Sequence, residues 1–218
     1  PFRPHHGARG MRTRRVSAWL AGGILLAGVD AWAQTTSVSP WSFSATAYTY
    51  LLPDDPDYVQ PSFIADRGRL HLEARYNYEG HETGSAWIGY NFSFGENVTF
   101  DFTPMVGGVF GDTSGIAPGY KAALAWRNIE FASESEYVFD ANDSAENFFY
   151  TWSEVSWSPR DWVRLGLVVQ RTKTYQTEFD IQRGVLLGFA WKQAYFTTYV
   201  FNPDAGKPTV VLGFGVDF

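Results

Sequence analysis

The chain has 218 residues, of which 45% are hydrophobic and 18% aromatic, with 21 glycines and no cysteine. Its formal net charge of −6 argues against a nucleic-acid partner, and the lack of cysteine excludes both a disulfide framework and a lipid-anchored lipoprotein. No run of about 20 apolar residues occurs, which excludes a membrane protein built from spanning helices.

The first part of the chain predicts an export signal. Residues 1–10 are expected to be translated upstream sequence, because Met11 begins a better N-terminus with three nearby arginines. An apolar core at 16–29, too short to span a bilayer, precedes the small residues Ala31 and Ala33. We therefore predict a signal peptide over 11–33, cleaved before Gln34 and exported by the Sec route. The Arg-Arg pair does not favour twin-arginine export, because the hydrophobic residues that should follow it closely are missing.

After a short periplasmic lead-in at 34–40, apolar and polar residues alternate with a period of two, as they do in strands with two different faces. The pattern predicts twelve strands over 41–218, with ten as the alternative. Their predicted bounds are 41–51, 58–66, 69–79, 86–94, 98–110, 120–126, 129–139, 148–157, 162–171, 179–191, 194–201 and 209–218.

Two of these strands show the alternation most clearly. In the third, Leu70, Leu72, Ala74, Tyr76 and Tyr78 share one face, and His71, Glu73, Arg75 and Asn77 the other. In the last, the apolar residues are Val210, Leu212, Phe214, Val216 and Phe218. This final strand resembles the last strand of Gram-negative outer-membrane β-barrels. The resemblance implies an antiparallel up-and-down barrel with both termini in the periplasm. It also implies that Phe214, Val216 and Phe218 form the signal read by the barrel-assembly machinery.

The connections support that architecture, because short turns alternate with longer loops such as 111–119. Large aromatic residues gather at the short-turn end of the strands: Trp41, Phe94, Trp126, Trp157, Trp162, Trp191 and Phe218. Basic residues flank the short turns: Arg67, Arg69, Arg127, Arg160 and Lys192. Acidic residues lie in or beside the longer loops: Asp54, Asp55, Asp57, Glu82, Asp112, Asp140, Asp143, Glu146 and Asp204.

The same alternation predicts a charged lumen, which is the feature most informative about function. The residues expected to face it are His71, Glu73, Arg75, Asp101, Lys121, Glu130, Glu134, Glu136, Glu154, Arg164 and Asp180. Charges in such number require water or a paired network, although structural filling is an alternative.

Three residues fit the pattern poorly. Pro104 predicts a bulge in its strand, while Arg171 and Arg183 fall on the lipid face near the outer rim, where they could meet lipopolysaccharide phosphates or mark a local change of parity.

A two-residue turn after Trp126 would place Lys121 opposite Glu134, and Glu154 would lie opposite or diagonal to Arg164. Because Arg75 lies near Glu73, the pairing expected along the strands leaves Glu130, Glu136, Asp101 and Asp180 without basic partners. A narrow water-filled lumen with that surplus should favour cations.

The leading hypothesis is therefore a narrow porin-like passive channel for small cationic or neutral solutes, similar in architecture to twelve-stranded porins for acidic sugars. Those porins line the lumen with arginine, and this chain does not. A non-conducting structural or adhesion barrel and an outer-membrane lipid-modifying enzyme are the alternatives.

No cofactor is expected, and no catalytic constellation is convincing: residues 111–115, of sequence GDTSG, fit a turn. For metals, the only weak candidate is the loop with Asp140, Asn142, Asp143 and Glu146, which an ordinary polar loop explains equally well. Oligomeric state is left open.

Overall fold

The computed structural model describes residues 40–171 and 181–218, so the predicted signal peptide, the lead-in before Pro40 and Asp180 lie outside the described residues. Most of this part of the chain is antiparallel strand. The strands are β1 (Ser42–Leu51), β2 (Tyr58–Arg67), β3 (Leu70–Tyr76), β4 (Thr83–Tyr90), β5 (Phe92–Phe94), β6 (Val98–Gly111), β7 (Gly115–Trp126), β8 (Ile129–Asp140), β9 (Phe148–Arg160), β10 (Val163–Arg171), β11 (Gln182–Trp191), β12 (Ala194–Phe201) and β13 (Thr209–Asp217).

These strands form a closed barrel. Strands β4 and β5 are two parts of one spanning strand, since both pair with β6. Every other strand pairs with its neighbours in the chain, and β13 returns to pair with β1. The twelve-stranded antiparallel up-and-down barrel expected from the alternation is thus confirmed. A single turn of 3-10 helix at Ser144–Glu146 lies in one loop, and no helix among the described residues is long and apolar enough to cross a membrane.

The alternation in sequence becomes an alternation between interior and exterior. In β10, Arg164, Val168 and Gln170 are buried, while Leu165 and Leu167 are exposed. The exposed surface of the whole barrel is rich in large apolar side chains, whereas the buried side chains include many charged and polar ones. This arrangement is the reverse of a soluble protein and is typical of a barrel whose outer face meets lipid.

One end of the barrel has short turns and is called the turn end; the other is called the loop end. At the turn end, Trp126 pairs with Ile129, and Trp191 with Ala194, so each hairpin has a two-residue loop. The tight reversal is achieved with a positive φ, which is 56° at Lys192. The seven aromatic residues expected at the turn end are all exposed: Trp41, Phe94, Trp126, Trp157, Trp162, Trp191 and Phe218.

The predicted loop at 111–119 is wrong, because β7 already begins at Gly115 and only residues 112–114 connect it to β6. Two glycines explain the difference. A Cβ on Gly115 would lie 2.0 Å from the carbonyl oxygen of Phe139, and one on Gly119 would lie 2.8 Å from that of Ser135. Glycine is needed there for close backbone contact with β8, not for a flexible loop.

Two further expectations about irregular positions are wrong. Pro104 causes no bulge, because β6 pairs with β7 in continuous register through it, opposite Tyr120. A register shift occurs instead between β9 and β10, where Val163 pairs with Arg160 but Leu165 pairs with Trp157. The alternation also changes at Asn77, whose φ is 57°. As a result, Tyr78 is buried in the interior, not on the outer face with Tyr76.

Candidate functional site: the charged barrel interior

The structure brings most of the predicted lumen residues into the interior. The fully buried members are His71, Glu73, Arg75, Asp101, Lys121, Glu134, Glu136, Glu154 and Arg164, and Glu130 is half-buried. Asp180 lies outside the described residues. Apart from Asp101, these buried side chains belong to two clusters on different parts of the barrel wall.

Arg75 is the centre of the first cluster. Its side chain is 0% exposed, and its Nη1 lies 2.9 Å from Oε2 of Glu136 on β8. Its Nε lies 2.9 Å from Oε1 of Glu73 on the same strand, and Glu79 and Glu134 are 3.8 and 3.9 Å away. The guanidinium also stacks on two interior rings, 4.3 Å from the centre of Tyr78 and 4.6 Å from that of Trp87. One cation therefore holds carboxylates from both sides of the lumen.

Lys121 and His71 extend this cluster. The ammonium group of Lys121 lies 2.8 Å from Glu73 and 3.4 Å from Glu134, its partner across the β7–β8 hairpin. His71 contacts Asp66 through Nδ1 at 2.9 Å and Glu73 through Nε2 at 3.3 Å. The result is a continuous chain of polar contacts from the turn end to the middle of the barrel.

Arg164 is the centre of the second cluster. Its Nη1 donates to Glu154 at 2.6 Å, and its Nη2 donates to Tyr199 at 3.1 Å. The prediction that Glu154 lies opposite or diagonal to Arg164 is wrong, because Glu154 pairs with Val168. The long side chain of Arg164 nevertheless reaches Glu154. It lies over Gly188, where an added Cβ would be 2.7 Å from the Cγ of Arg164.

The expectation that Glu136 has no basic partner is also wrong. The prediction considered neighbours along and across adjacent strands, whereas Arg75 and Glu136 are 61 positions apart and meet across the lumen. Asp101 and Glu130 form no ion pair within the part of the chain that the structure describes. Six carboxylates are fully buried among the described residues, against three arginine or lysine side chains and His71, so carboxylates are in excess.

Aromatic side chains fill much of the remaining interior. Trp152 packs edge-on against Tyr199 and Phe201, with ring centres 4.9 and 5.4 Å apart, and the hydroxyl of Tyr150 donates to that of Tyr78. A cavity of about 30 Å³ lies between the two charged clusters and is lined by residues of both, including Lys121 and Glu154. That volume accommodates about two water molecules. The interior wall is therefore closely packed in this conformation.

Sequence reasoning missed several interior residues. Glu79 is 0% exposed and accepts a hydrogen bond from Ser85 at 2.6 Å. It was not among the predicted lumen residues, although it has the same parity as Glu73 and Arg75 in the predicted third strand. Gln170 and Gln182 are also buried and joined by a 2.8 Å hydrogen bond. The alternation in β10 and β11 places both glutamines on the inward face, so this pair would have been predicted if the set of lumen residues had included uncharged polar side chains.

The candidate metal loop uses its oxygen atoms for its own backbone. Asp140 Oδ1 accepts from the amides of Asn142 and Asp143 at 2.8 and 3.1 Å, and Asp143 Oδ1 accepts from Ala145. The Asp143 contact caps the 3-10 turn containing Glu146, and the Asp140 contacts hold the loop that precedes it. Within residues 40–171 and 181–218, no group of three or more acidic or histidine side chains is arranged to hold a metal ion.

The predicted assembly strand closes the barrel. Phe214 and Phe218 are exposed, and Val216 pairs with Ala45 of β1. Phe218 exchanges two 2.9 Å backbone hydrogen bonds with Phe43.

The two arginines on the outer face lie at the loop end, and both already contact other parts of the chain. Arg183 is paired at 2.6 Å with Asp204, a hydrogen bond that lowers the pKa of this carboxyl below its ordinary value. Arg171 donates to the carbonyl oxygen of Phe149.

Comparison with known proteins supports the fold. No protein-family model matches the chain, and no curated protein matches it. Among solved structures, the chain is similar to the KdgM porin, with a TM-score of 0.56 and 12% identity over 80% of this chain and 99% of that one. The KdgM porin in complex with disordered oligogalacturonate gives a TM-score of 0.54 and 11% identity, covering 80% of this chain and 99% of that one. The outer membrane protein Omp33 of Acinetobacter baumannii gives 0.49 and 10% identity, over 82% and 98% of the two chains. The chain thus has the closed twelve-stranded fold of small outer-membrane porins.

Proposed function

We propose that this chain is an outer-membrane β-barrel, inserted by the barrel-assembly machinery after Sec export. The support is its apolar outer surface, with exposed aromatic residues at the turn end and a charged interior. Lipid and lipopolysaccharide are then its surroundings, with the short turns in the periplasm.

We further propose that the barrel is a narrow porin-like passage for small cationic or neutral solutes, closed by its own side chains in the conformation described. The excess of buried carboxylates over basic side chains carries this proposal. Carboxylates facing a narrow pore attract cations and repel anions. The complex of the KdgM porin contains oligogalacturonate, but the carboxylate excess disfavours such an acidic solute in this chain.

Single-channel recording in planar bilayers under a salt gradient tests the proposal. We expect small, infrequent openings with a cation-selective reversal potential that shifts toward zero in Asp101→Asn, since this buried carboxylate has no ion-pair partner among the described residues. Asp143→Asn, a matched change on an exposed loop residue, should leave the reversal potential unchanged. An anion-selective potential would contradict the proposal.

A non-conducting structural barrel is the second candidate, and the close packing of the interior favours it. If well-folded protein shows no openings across the accessible voltage range, the charged clusters are structural filling. We assign no catalytic role, because His71 lies between two carboxylates inside the barrel. Release of acyl chains from labelled phospholipid or lipopolysaccharide would contradict that assignment.

A further inference from the structure

The two ends of the barrel differ in exposed charge. Five basic side chains, all exposed, flank the short turns and are called the basic collar: Arg67, Arg69, Arg127, Arg160 and Lys192. Only two exposed carboxylate side chains, Glu96 and Asp161, lie in the short turns beside them. The loops at the opposite end carry mainly acidic residues. The collar is therefore a positive rim at one edge of an apolar outer surface.

Four members of the collar lie over exposed aromatic rings at the turn end. The distances from the charged group to the ring centre range from 4.8 to 5.7 Å, for the pairs Arg127 with Trp126, Lys192 with Trp191, Arg67 with Trp41 and Arg69 with Tyr90. Tryptophan and tyrosine rings settle at the boundary between hydrocarbon and water. The rings thus hold the positive groups at the level of lipid headgroups.

The collar differs from the basic residues at the loop end in its partners. Arg183 and Lys207 each form an ion pair with a loop aspartate, Asp204 and Asp54 respectively. Within the part of the chain that the structure describes, no member of the collar forms an ion pair. Its charge is therefore available to an external anion.

Backbone conformation gives an independent observation. Arg127 and Lys192 have φ values of 57° and 56°, in the left-handed region that glycine adopts without strain. The equivalent position of the first turn is occupied by Gly68, with a φ of 59°. At two turns, then, the chain has a strained basic residue where glycine would be favoured. This indicates a use for the positive charge beyond the turn itself.

We propose that the basic collar binds the headgroups of anionic phospholipids, with phosphatidylglycerol as the probe, and thereby anchors the turn end in a leaflet that contains them. Charge complementarity selects the lipid, and the neighbouring rings set the depth. The acidic loop end lacks this complementarity. The inference is independent of whether the lumen conducts.

The tryptophans provide a local reporter. Among the described tryptophans, the exposed ones all lie at the turn end (Trp41, Trp126, Trp157, Trp162 and Trp191), and the buried ones, Trp87 and Trp152, face the interior. Folded protein is placed in vesicles of phosphatidylcholine mixed with phosphatidylglycerol, with brominated chains on one lipid at a time. Quenching of tryptophan fluorescence then gives the relative association of each lipid with the turn end.

We expect wild-type protein to favour phosphatidylglycerol about fivefold at low salt, with a smaller preference at high salt. The double variant Arg127→Gly/Lys192→Gly relieves strain and should fold, yet its preference should fall to within about twofold of parity. Arg127→Lys keeps the charge and should keep the preference, as should Arg183→Gln/Lys207→Gln, which removes the same charge at the loop end. Equal quenching by both lipids in wild-type protein, or an equal loss in the loop-end variant, would overturn the proposal.

Discussion

Arg75→Met removes the cation at the centre of the first charged cluster and tests whether that cluster is a stabilising network. The guanidinium is 0% exposed and lies within 3.9 Å of four carboxylates. Its removal leaves Lys121 in contact with Glu73 and Glu134, whereas Glu79 and Glu136 have no other basic partner among the described residues. Breaking a buried ion pair by removing one partner costs about 3–5 kcal/mol. We expect a loss of that size in the free energy of unfolding.

Arg183→Met is the matched control. Arg183 lies 2.6 Å from Asp204, closer than Arg75 lies to any of its carboxylates, but its side chain is 73% exposed. Exposed pairs contribute about 0–1 kcal/mol, because water screens the charges and flexible side chains lose entropy. The difference between the two variants therefore measures what a buried cation with four carboxylates contributes beyond a single exposed ion pair.

The measurement is urea unfolding of protein refolded into lipid vesicles, monitored by electrophoretic mobility and tryptophan fluorescence. A double-mutant cycle adds Glu136→Gln, which removes the carboxylate 2.9 Å from Nη1 of Arg75. The substitution should cost less in the Arg75→Met background than in wild-type protein, with a coupling energy of about 1–3 kcal/mol. Equal losses for Arg75→Met and Arg183→Met, or an additive cycle, would refute the reasoning.

Three other predictions concern assembly, topology and packing. Removing Phe218 deletes two backbone hydrogen bonds that close the barrel against β1, and signal-processed protein should accumulate in the periplasm; normal outer-membrane levels would contradict this. An epitope inserted at Asp143 should be accessible on intact cells, whereas one at Arg160 should not, and the opposite result would reverse the orientation. Gly107→Ala should lower the free energy of unfolding by about 1–3 kcal/mol, because its Cβ would lie 2.4 Å from an interior tryptophan ring. The neighbouring Gly108→Ala, with no atom within 4 Å, should have little effect by the same urea assay.

The sequence determined the facing of most strand residues and part of their register. Alternation is a local property of extended chains, so Glu73, Arg75 and Lys121 could be assigned to the interior before any contact was known. The two-residue turn after Trp126 also set the β7–β8 register and hence the pairing of Lys121 with Glu134. Both inferences depend only on residues close together in the chain.

Local irregularities of the strands were harder to predict from the sequence. The positive φ at Asn77 turns Tyr78 inward. The β9–β10 hairpin turns at residues 161–162, because β9 continues to Arg160, and this places Glu154 opposite Val168 and not opposite or diagonal to Arg164. The glycines of β7 suggested a loop, although they permit close contact with β8. Each of these features depends on contacts with the backbone of the adjacent strand. The residue pattern of a single strand does not reveal those contacts.

Only the tertiary structure decided which charges meet across the lumen. Alternation predicts that Arg75 and Glu136 face inward. Their contact, however, depends on barrel closure, on strand tilt and on the length of the arginine side chain. Closure also brings Trp152, Tyr199 and Phe201 together and fills the space that the strand count alone would leave open. The sequence therefore determined a charged interior, and three-dimensional packing decided how closely it is filled, because the remaining space depends on side chains that converge from distant strands.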